Sequence, residues 1–348
     1  MAEAPVRVAV NELEAFCHGV FTATGFSADD ARTQTDVLIW ANLRGVDSHG
    51  IMRIPRYVTW LKSGVMRADA VMRISKERGA AAIVDAGQGP GAVAMSYAMR
   101  DALQRANADA IGWTVVRQTT HSGAVGYYAA MAAQQNMAGI AVATSRPNMA
   151  YFGARAAGVA TTPIAIAVPG GPDGMLMLDM STSQIPLGKI RAARATGQPL
   201  PGVCALTDDG QLTDDPNRAA IPLPLGGPKG SGLSLLFECL TGVLSGNPLL
   251  EPALTGAQKG HAQNGLVIAI DIEAFSGVTE FKALILALAS SIKGLPAMDT
   301  DGEVMLPGEP EVRETERRKD GIPIPEKVWM QLAETARDLD VSLPPTLQ

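Results

Sequence analysis

The sequence predicts an α/β chain of the α+β kind, a helical unit followed by a sheet-bearing one. Three observations predict it. Apolar residues recur at helical spacing through the first 70 residues. From about residue 72 short β-branched or apolar runs replace them. Helical stretches lie between some of these runs, but the alternation is irregular, so a doubly wound parallel sheet is not required. At 348 residues the chain is long enough for two cores.

The elements follow in order. "VNELEAFCHGVFTATG" sets Leu13, Phe16, Cys17, Val20 and Phe21 on one face, and Gly25 stops it. Ser27 with Asp30 reads as a capping box for a second helix carrying Val37, Leu38 and Ala41. "RGVDSHG" comes next, then an apolar-periodic stretch over 51–61. The strand-like runs are "AAIVDA", "GWTVVRQ", "GIAVATS", "IAIAVPGG", "MLMLDMS" and "GLVIAIDI". Helical stretches are expected over 92–106, 124–136, 230–245 and 278–293. The segment 197–229, rich in Gly, Pro and Asp, predicts an extended loop over a site. "IPEKVWMQLAETARDLDV" is a last amphipathic helix with Pro325 near its start.

Composition narrows the function. Apolar residues make up 47% and charged residues 18%, which fits a globular protein. A net charge of −6 argues against a nucleic-acid surface. Cys17, Cys204 and Cys239 are scattered, so neither a disulfide framework nor a metal site is expected. The N-terminus has no leader-like apolar region, and no apolar window is long enough to span a bilayer. No membrane partner and a cytoplasmic location are therefore expected.

Five stretches carry candidate chemistry. In "DSHGIMRIPRY", a helix capped by Asp47 or Ser48 would set His49, Arg53 and Tyr57 on one face. An imidazole can exchange a proton near neutral pH, and a guanidinium grips a carboxylate bidentately. Pro55 can shorten such a helix, and an ordinary cap with exposed His and Arg is the plain alternative. "TTHSGAVGYYAAMAAQQ" places His121, Ser122 and Gly123 at a strand-to-helix turn whose backbone N–H groups suit a phosphate, or simply a turn. "LGGPKGSGLSLLFECLTG" is a second candidate anion site at a helix start. "DMSTSQIPLGKIRAARATG" joins Asp179 to a run of hydroxyl residues, and its helix begins with basic residues against the dipole preference. Gly87-x-Gly89-x-x-Ala92 imitates a dinucleotide fingerprint, weakened by Pro90 inside it.

Taken in order, "RGVDSHGIMRIPRYV", "HSGAVGYYAAMA", "TTPIAIAVP", "LDMSTSQIPLGKIRAA", "GGPKGSGLSLLFECLTGVLSG" and "MLPGEPE" resemble the malate/L-lactate dehydrogenase family of NAD(P)-dependent oxidoreductases. That family is distinct from the Rossmann-fold lactate and malate dehydrogenases. It includes ureidoglycolate, sulfolactate, diketogulonate and Δ1-piperideine-2-carboxylate/ketimine enzymes. The resemblance implies a non-Rossmann cofactor domain with a mixed, largely antiparallel sheet over 73–309. It also implies a helical substrate and dimerisation domain over 1–72, completed by 310–348. A homodimer with its active site near the interface is implied, and the fingerprint at 87–92 becomes a helix start.

Residue by residue, the resemblance makes His49 the proton donor or acceptor, supported by Ser48, with Lys189 as the third catalytic member. Arg53 becomes the carboxylate clamp, with Tyr57 and Thr161 as further substrate contacts. Cofactor contacts are implied at His121, Ser122, Gly123, Ala124 and Val125, and at Asp179, Met180 and Ser181. Pro228 and Lys229 provide a third, and the segment 303–309, ending in Gly308 and Glu309, a fourth. The cofactor is NAD or NADP, and the partner is a small carboxylate substrate.

In the ketimine-reductase branch an Asp stands at the position of Lys189. Lys here favours carbonyl/alcohol chemistry on a 2-oxo or 2-hydroxy acid. Reduction of cyclic ketimine carboxylates with NADPH is the alternative, and a non-catalytic dinucleotide-binding protein is the second. Thr162 and Ser231 also depart from the common pattern and leave the substrate open.

Overall fold

The helical spacing of the first residues is realised directly in the computed structural model, which describes residues 6–257, 260–298 and 302–347. α1 (Val10–Ala23) buries Leu13, Phe16, Cys17, Val20 and Phe21. The Ser27 hydroxyl accepts the Asp30 N–H at 3.2 Å and opens α2 (Ala28–Leu43). The single helix expected through His49, Arg53 and Tyr57 does not form. Instead 3-10 turns run over Asp47–His49 and Ile51–Arg53, and α3 (Ile54–Lys62) starts only after them. Gly50 is extended between the turns, at φ −90° and ψ −151°. Pro55, which lacks an N–H, is tolerated only in the first turn of α3.

A seven-stranded sheet runs Arg73–Arg78, Ala81–Asp85, Ile111–Thr119, Gln263–Asp271, Met137–Ser145, Ile164–Pro169, Met175–Met180 from edge to edge. Ala81–Asp85 and Ile111–Thr119 pair in parallel, joined by the crossover helix α4 (Gly91–Asp109). The other neighbours pair antiparallel. The sheet is thus mixed and largely antiparallel, and α4 starts where the imitation fingerprint lies. The strand Arg73–Arg78 escapes sequence reading because all its positions are exposed and show no alternation. α5 (Gly126–Gln134) packs its alanines and Tyr128 on the sheet, in a core shared with Met95, Met99 and Val267.

After α6 (Leu187–Thr196) the chain does not remain the extended loop expected over 197–229. Ala205–Leu206, Leu212–Thr213 and Ile221–Pro222 form a small antiparallel sheet. The turn at Asp208–Gly210 closes it, with the Thr207 N–H donating to Gln211 O at 2.8 Å. Ile185, Ile190, Leu200 and Ala219 fill the core beneath. α7 (Pro228–Glu238) passes into a π turn at Cys239–Val243, so the helical stretch expected over 230–245 has two geometries. α8 (Leu250–Leu254) is short, and α9 (Val278–Lys293) matches its expected span. α10 (Glu309–Arg318) and α11 (Glu326–Asp338), the latter capped at Pro325, close the chain. Ile322, Ile324, Leu332 and Ala336 return to the core of α1–α3. Among the described residues no helix is long and apolar enough to cross a membrane.

Candidate active site

Remote residues fix the loop between α2 and α3. The Asn42 amide donates to Asp47 Oδ1 at 2.6 Å and accepts the Ile51 N–H at 2.8 Å. Arg318, 8% exposed, donates to Asn42 O at 2.7 Å and to both Asp47 carboxylate oxygens, at 2.6 and 3.1 Å. A charged, multiply bonded clasp of this kind holds short turns in register better than their own backbone bonds can. It sets Ser48 Oγ 2.9 Å from His49 Nδ1. The Arg53 Nε–H donates to Ser48 O at 2.5 Å.

The other histidine turn meets this loop. The ring of His121 stacks on that of His49, with centroids 5.3 Å apart and an interplanar angle of 21°. His121 Nδ1 accepts the Gly123 N–H at 3.3 Å and lies 2.6 Å from the buried Tyr57 hydroxyl. A backbone N–H can only donate, so Nδ1 is an acceptor, the Tyr57 O–H donates to it, and Nε2 carries the hydrogen. His261 stacks on Trp60 at 4.2 Å, and the Arg56 guanidinium lies 4.9 Å from the centre of the same ring.

These imidazoles are held neutral. Burial, then the charges of Arg53 and Arg191, pushes His49 down to about 3. Burial with Arg53, His49, His261 and Arg56 takes His121 well below the ordinary range. His261 falls to about 4 through burial and the charges of Arg56, Arg53 and Arg146. Burial also drives Tyr57 upward, so its hydroxyl keeps its proton.

The start of α6 adjoins the same loop. A Cβ on Gly188 would stand 2.7 Å from Ser48 Cβ, so only glycine permits this approach. Lys189 follows it and is exposed, while Arg191 is the α6 cation that acts on His49.

The four segments expected to contact a cofactor are tied to one another. The Gly126 N–H, just after Ala124 and Val125, donates to Asp179 Oδ2 at 2.9 Å. One side of Asp179 stays open to solvent, yet the protein packed on its carboxyl raises it to about 6. Beyond Met180 and Ser181, the Thr182 N–H donates to Thr161 O at 2.9 Å, and Thr182 O accepts the Leu225 N–H at 2.8 Å. A Cβ on Gly230 would stand 2.3 Å from Thr182 O, which brings Pro228 and Lys229 against this strand end. The Met177 N–H donates to Pro307 O at 3.3 Å and brings Gly308 alongside. Thr182 Oγ1 is buried with no hydrogen-bond partner. Ser122 is buried, its N–H donating to Gln263 Oε1 at 3.1 Å. Thr161 is positioned by its N–H, which donates to Asn148 Oδ1 at 2.8 Å. The Glu309 carboxylate is engaged within the protein, by Lys293 at 2.7 Å and the Leu306 N–H at 3.0 Å.

Sequence reasoning missed Arg56, Arg191, His261 and the Asn42–Arg318 clasp. A signal for Arg191 existed in the basic residues that open α6 against its dipole. His261 had none, because its partner Trp60 is distant in the chain.

The family model described as malate/L-lactate dehydrogenase matches residues 8–333. A malate dehydrogenase of Pyrococcus horikoshii is 35% identical over 347 residues, covering 97% of this chain and 96% of that protein. A solved sulfolactate dehydrogenase from Methanocaldococcus jannaschii superposes with a TM-score of 0.86 at 33% identity, covering 97% and 98% of the two chains. A solved Δ1-piperideine-2-carboxylate reductase from Pseudomonas syringae gives a TM-score of 0.81 at 27% identity, covering 95% and 99%.

Proposed function

The chain belongs to the malate/L-lactate dehydrogenase family, and we propose that it interconverts a small 2-hydroxy acid and its 2-oxo acid with NAD or NADP. The observation that carries this reading is the meeting of His49, Arg53 and His121 beside the four joined segments. A nicotinamide dinucleotide fits those segments. They offer the buried, unpartnered Thr182 hydroxyl, the backbone turn at 121–126 and exposed Lys229 at the start of α7. When bound, the nicotinamide accepts or supplies the hydride at C2.

The side chains do the rest. The fork of Arg53 holds the substrate carboxylate, which fixes C2 and its oxygen next to His49. With Nδ1–H donating to the Ser48 hydroxyl, His49 Nε2 is a free base for the alcohol proton. His121 Nε2–H is a neutral donor that can hold the same oxygen. Thr161 borders the substrate, while Lys189 stands exposed on α6 and Arg191 is the α6 cation that acts on His49. The substrate carboxylate also offsets the Arg53 charge that depresses His49, so protonated His49 becomes accessible for the reverse reaction.

Cyclic imine reduction is the second reading, supported by the fold likeness to the piperideine-carboxylate reductase. Lys189 in place of an Asp disfavours it. A panel of 2-hydroxy acids, 2-oxo acids and cyclic imine carboxylates, each with both nicotinamide cofactors, tests the proposal. Turnover of hydroxy and oxo acids is expected. Turnover of cyclic imines alone would transfer the assignment to the second reading, and cofactor binding without any turnover would end both.

A further inference from the structure

We propose that His261 is a specificity residue: its Nε2 hydrogen-bonds a hydroxyl on C3 of the substrate, so the site prefers 2,3-dihydroxy acids to 2-hydroxy acids with a plain alkyl group there. This rests on the hydroxy-acid reading above and deepens it. The hydrogen bonding around this ring has a gap. His261 Nε2 is buried with no partner. A buried polar atom left unpaired costs free energy, and a group brought by a ligand removes that cost. Two sets of contacts place the atom at the site. The first runs along the α3 face that carries Arg53, where Tyr57 and Trp60 follow at helical spacing. The rings of Tyr57 and Trp60 lie 5.9 Å apart, and His261 stacks on Trp60 at 4.2 Å with an interplanar angle of 24°. Tyr57 in turn meets His121, whose ring stacks on His49. One continuous wall of rings therefore runs from His49 to His261. The second set comes from the strand Gln263–Asp271. Gln263 Oε1 accepts the Ser122 N–H at 3.1 Å, in the turn that begins at His121. His261 stands two residues before Gln263, on the same side of an extended chain. Arg146 Nη1 donates to Gly260 O at 2.7 Å and fixes the backbone just ahead of the ring.

The direction of this wall decides which part of the substrate reaches His261. Arg53 holds the carboxylate and His49 faces the oxygen on C2, so the next group along the wall is the substituent on C3. The ring that meets it is neutral, because burial and the charges of Arg56, Arg53 and Arg146 depress its basicity. A neutral imidazole nitrogen is a single donor or a single acceptor, and a hydroxyl can answer either. A methyl or methylene group leaves the nitrogen unpaired, and a site built to pair a substrate hydroxyl discriminates against the analogue that lacks it.

The test compares kcat/KM for glycerate with kcat/KM for lactate, each enantiomer of both, in the whole chain. The two acids carry the same charge and differ by one hydroxyl on C3. Wild type is expected to favour glycerate. His261→Phe keeps a flat ring on Trp60 but removes Nε2. It should lower the glycerate-to-lactate ratio by about 3–10-fold, the scale of one uncharged hydrogen bond. His261→Gln, whose side-chain amide can reach the place of Nε2, should retain part of the ratio. A wild type that prefers lactate overturns the proposal whatever the variants do. An unmoved ratio in His261→Phe also overturns it. An equal loss for both acids would then make His261 a brace for Trp60, and a raised Kd for the reduced nicotinamide cofactor would assign Nε2 to that cofactor. Absence of nicotinamide-linked turnover by wild type on any 2-hydroxy acid would instead defeat the underlying reading.

Discussion

His49 sits in a field that keeps it neutral, and that decides how its role can be tested. General acid–base catalysis contributes about 10²–10⁴-fold. His49→Ala is therefore expected to lower turnover by roughly that factor, with cofactor affinity largely retained in a fluorescence titration. Wild-type turnover would remove His49 from the chemistry. Because burial and two arginines hold His49 at about 3 against an ordinary 6.5, the base stays deprotonated well below neutrality. For oxidation, kcat/KM is expected to stay level as pH falls through 6.5, and an acid limb centred at 6.5 would contradict this. Stability should behave oppositely. The unfolded chain takes up protons below 6.5, while folded His49 and His261 wait until about 3 and about 4. Their contribution is thus present above 6.5 and lost as pH falls towards 4, so Tm should drop across that window. His49 and Arg53 were legible in the sequence because one short motif carries both. His261 and Arg191 were not, because what places them is tertiary.

Short elements, rather than the long helices, place the side chains proposed for catalysis. The sequence spacing promised one helix through His49, Arg53 and Tyr57, yet these residues meet through 3-10 turns and an extended Gly50. The convergence depends on Asn42 and Arg318, whose pairing crosses from α2 to the end of α10 and leaves no local signal. Arg318→Ala removes its three hydrogen bonds to Asn42 O and the Asp47 carboxylate and leaves that carboxylate without its cation. A stability loss of about 1–3 kcal/mol is expected, seen as a lower Tm, together with reduced turnover from a displaced Ser48–His49 pair. An unchanged Tm would show that the turns hold themselves. The three-stranded sheet after α6 was hidden for a related reason. Its strands are two residues long, too short for alternation to register, and only the turn at Asp208–Gly210 marks them.

On the scale of the molecule, one core joins α1–α3 to Ile322, Ile324 and α11, and another lies between α4, α5 and the large sheet. We propose that these are a substrate-side unit and a cofactor-side unit. The sequence changes texture at about residue 72, from helical periods to short apolar runs. The exposed strand Arg73–Arg78 at their junction was invisible to that reading. Leu236 and Val243 on α7 and its π turn, with Leu284 and Leu288 on α9, are each more than half exposed. Apolar faces of this kind fit burial between two copies of the chain. Sedimentation equilibrium is expected to give twice the chain mass, and Leu284→Glu to shift it towards the monomer. A monomeric wild type would remove the dimer.

The most direct measurement follows the hydrogen at C2. A 2-hydroxy acid carrying deuterium at C2, malate being the first choice, is oxidised by the protein with NAD or NADP, and the reduced nicotinamide is analysed by mass spectrometry and NMR. Direct hydride transfer beside His49 and Arg53 predicts deuterium at C4 of the reduced ring and slower turnover than with the unlabelled acid. Reduced nicotinamide that carries no deuterium, with the label lost to water, would contradict it.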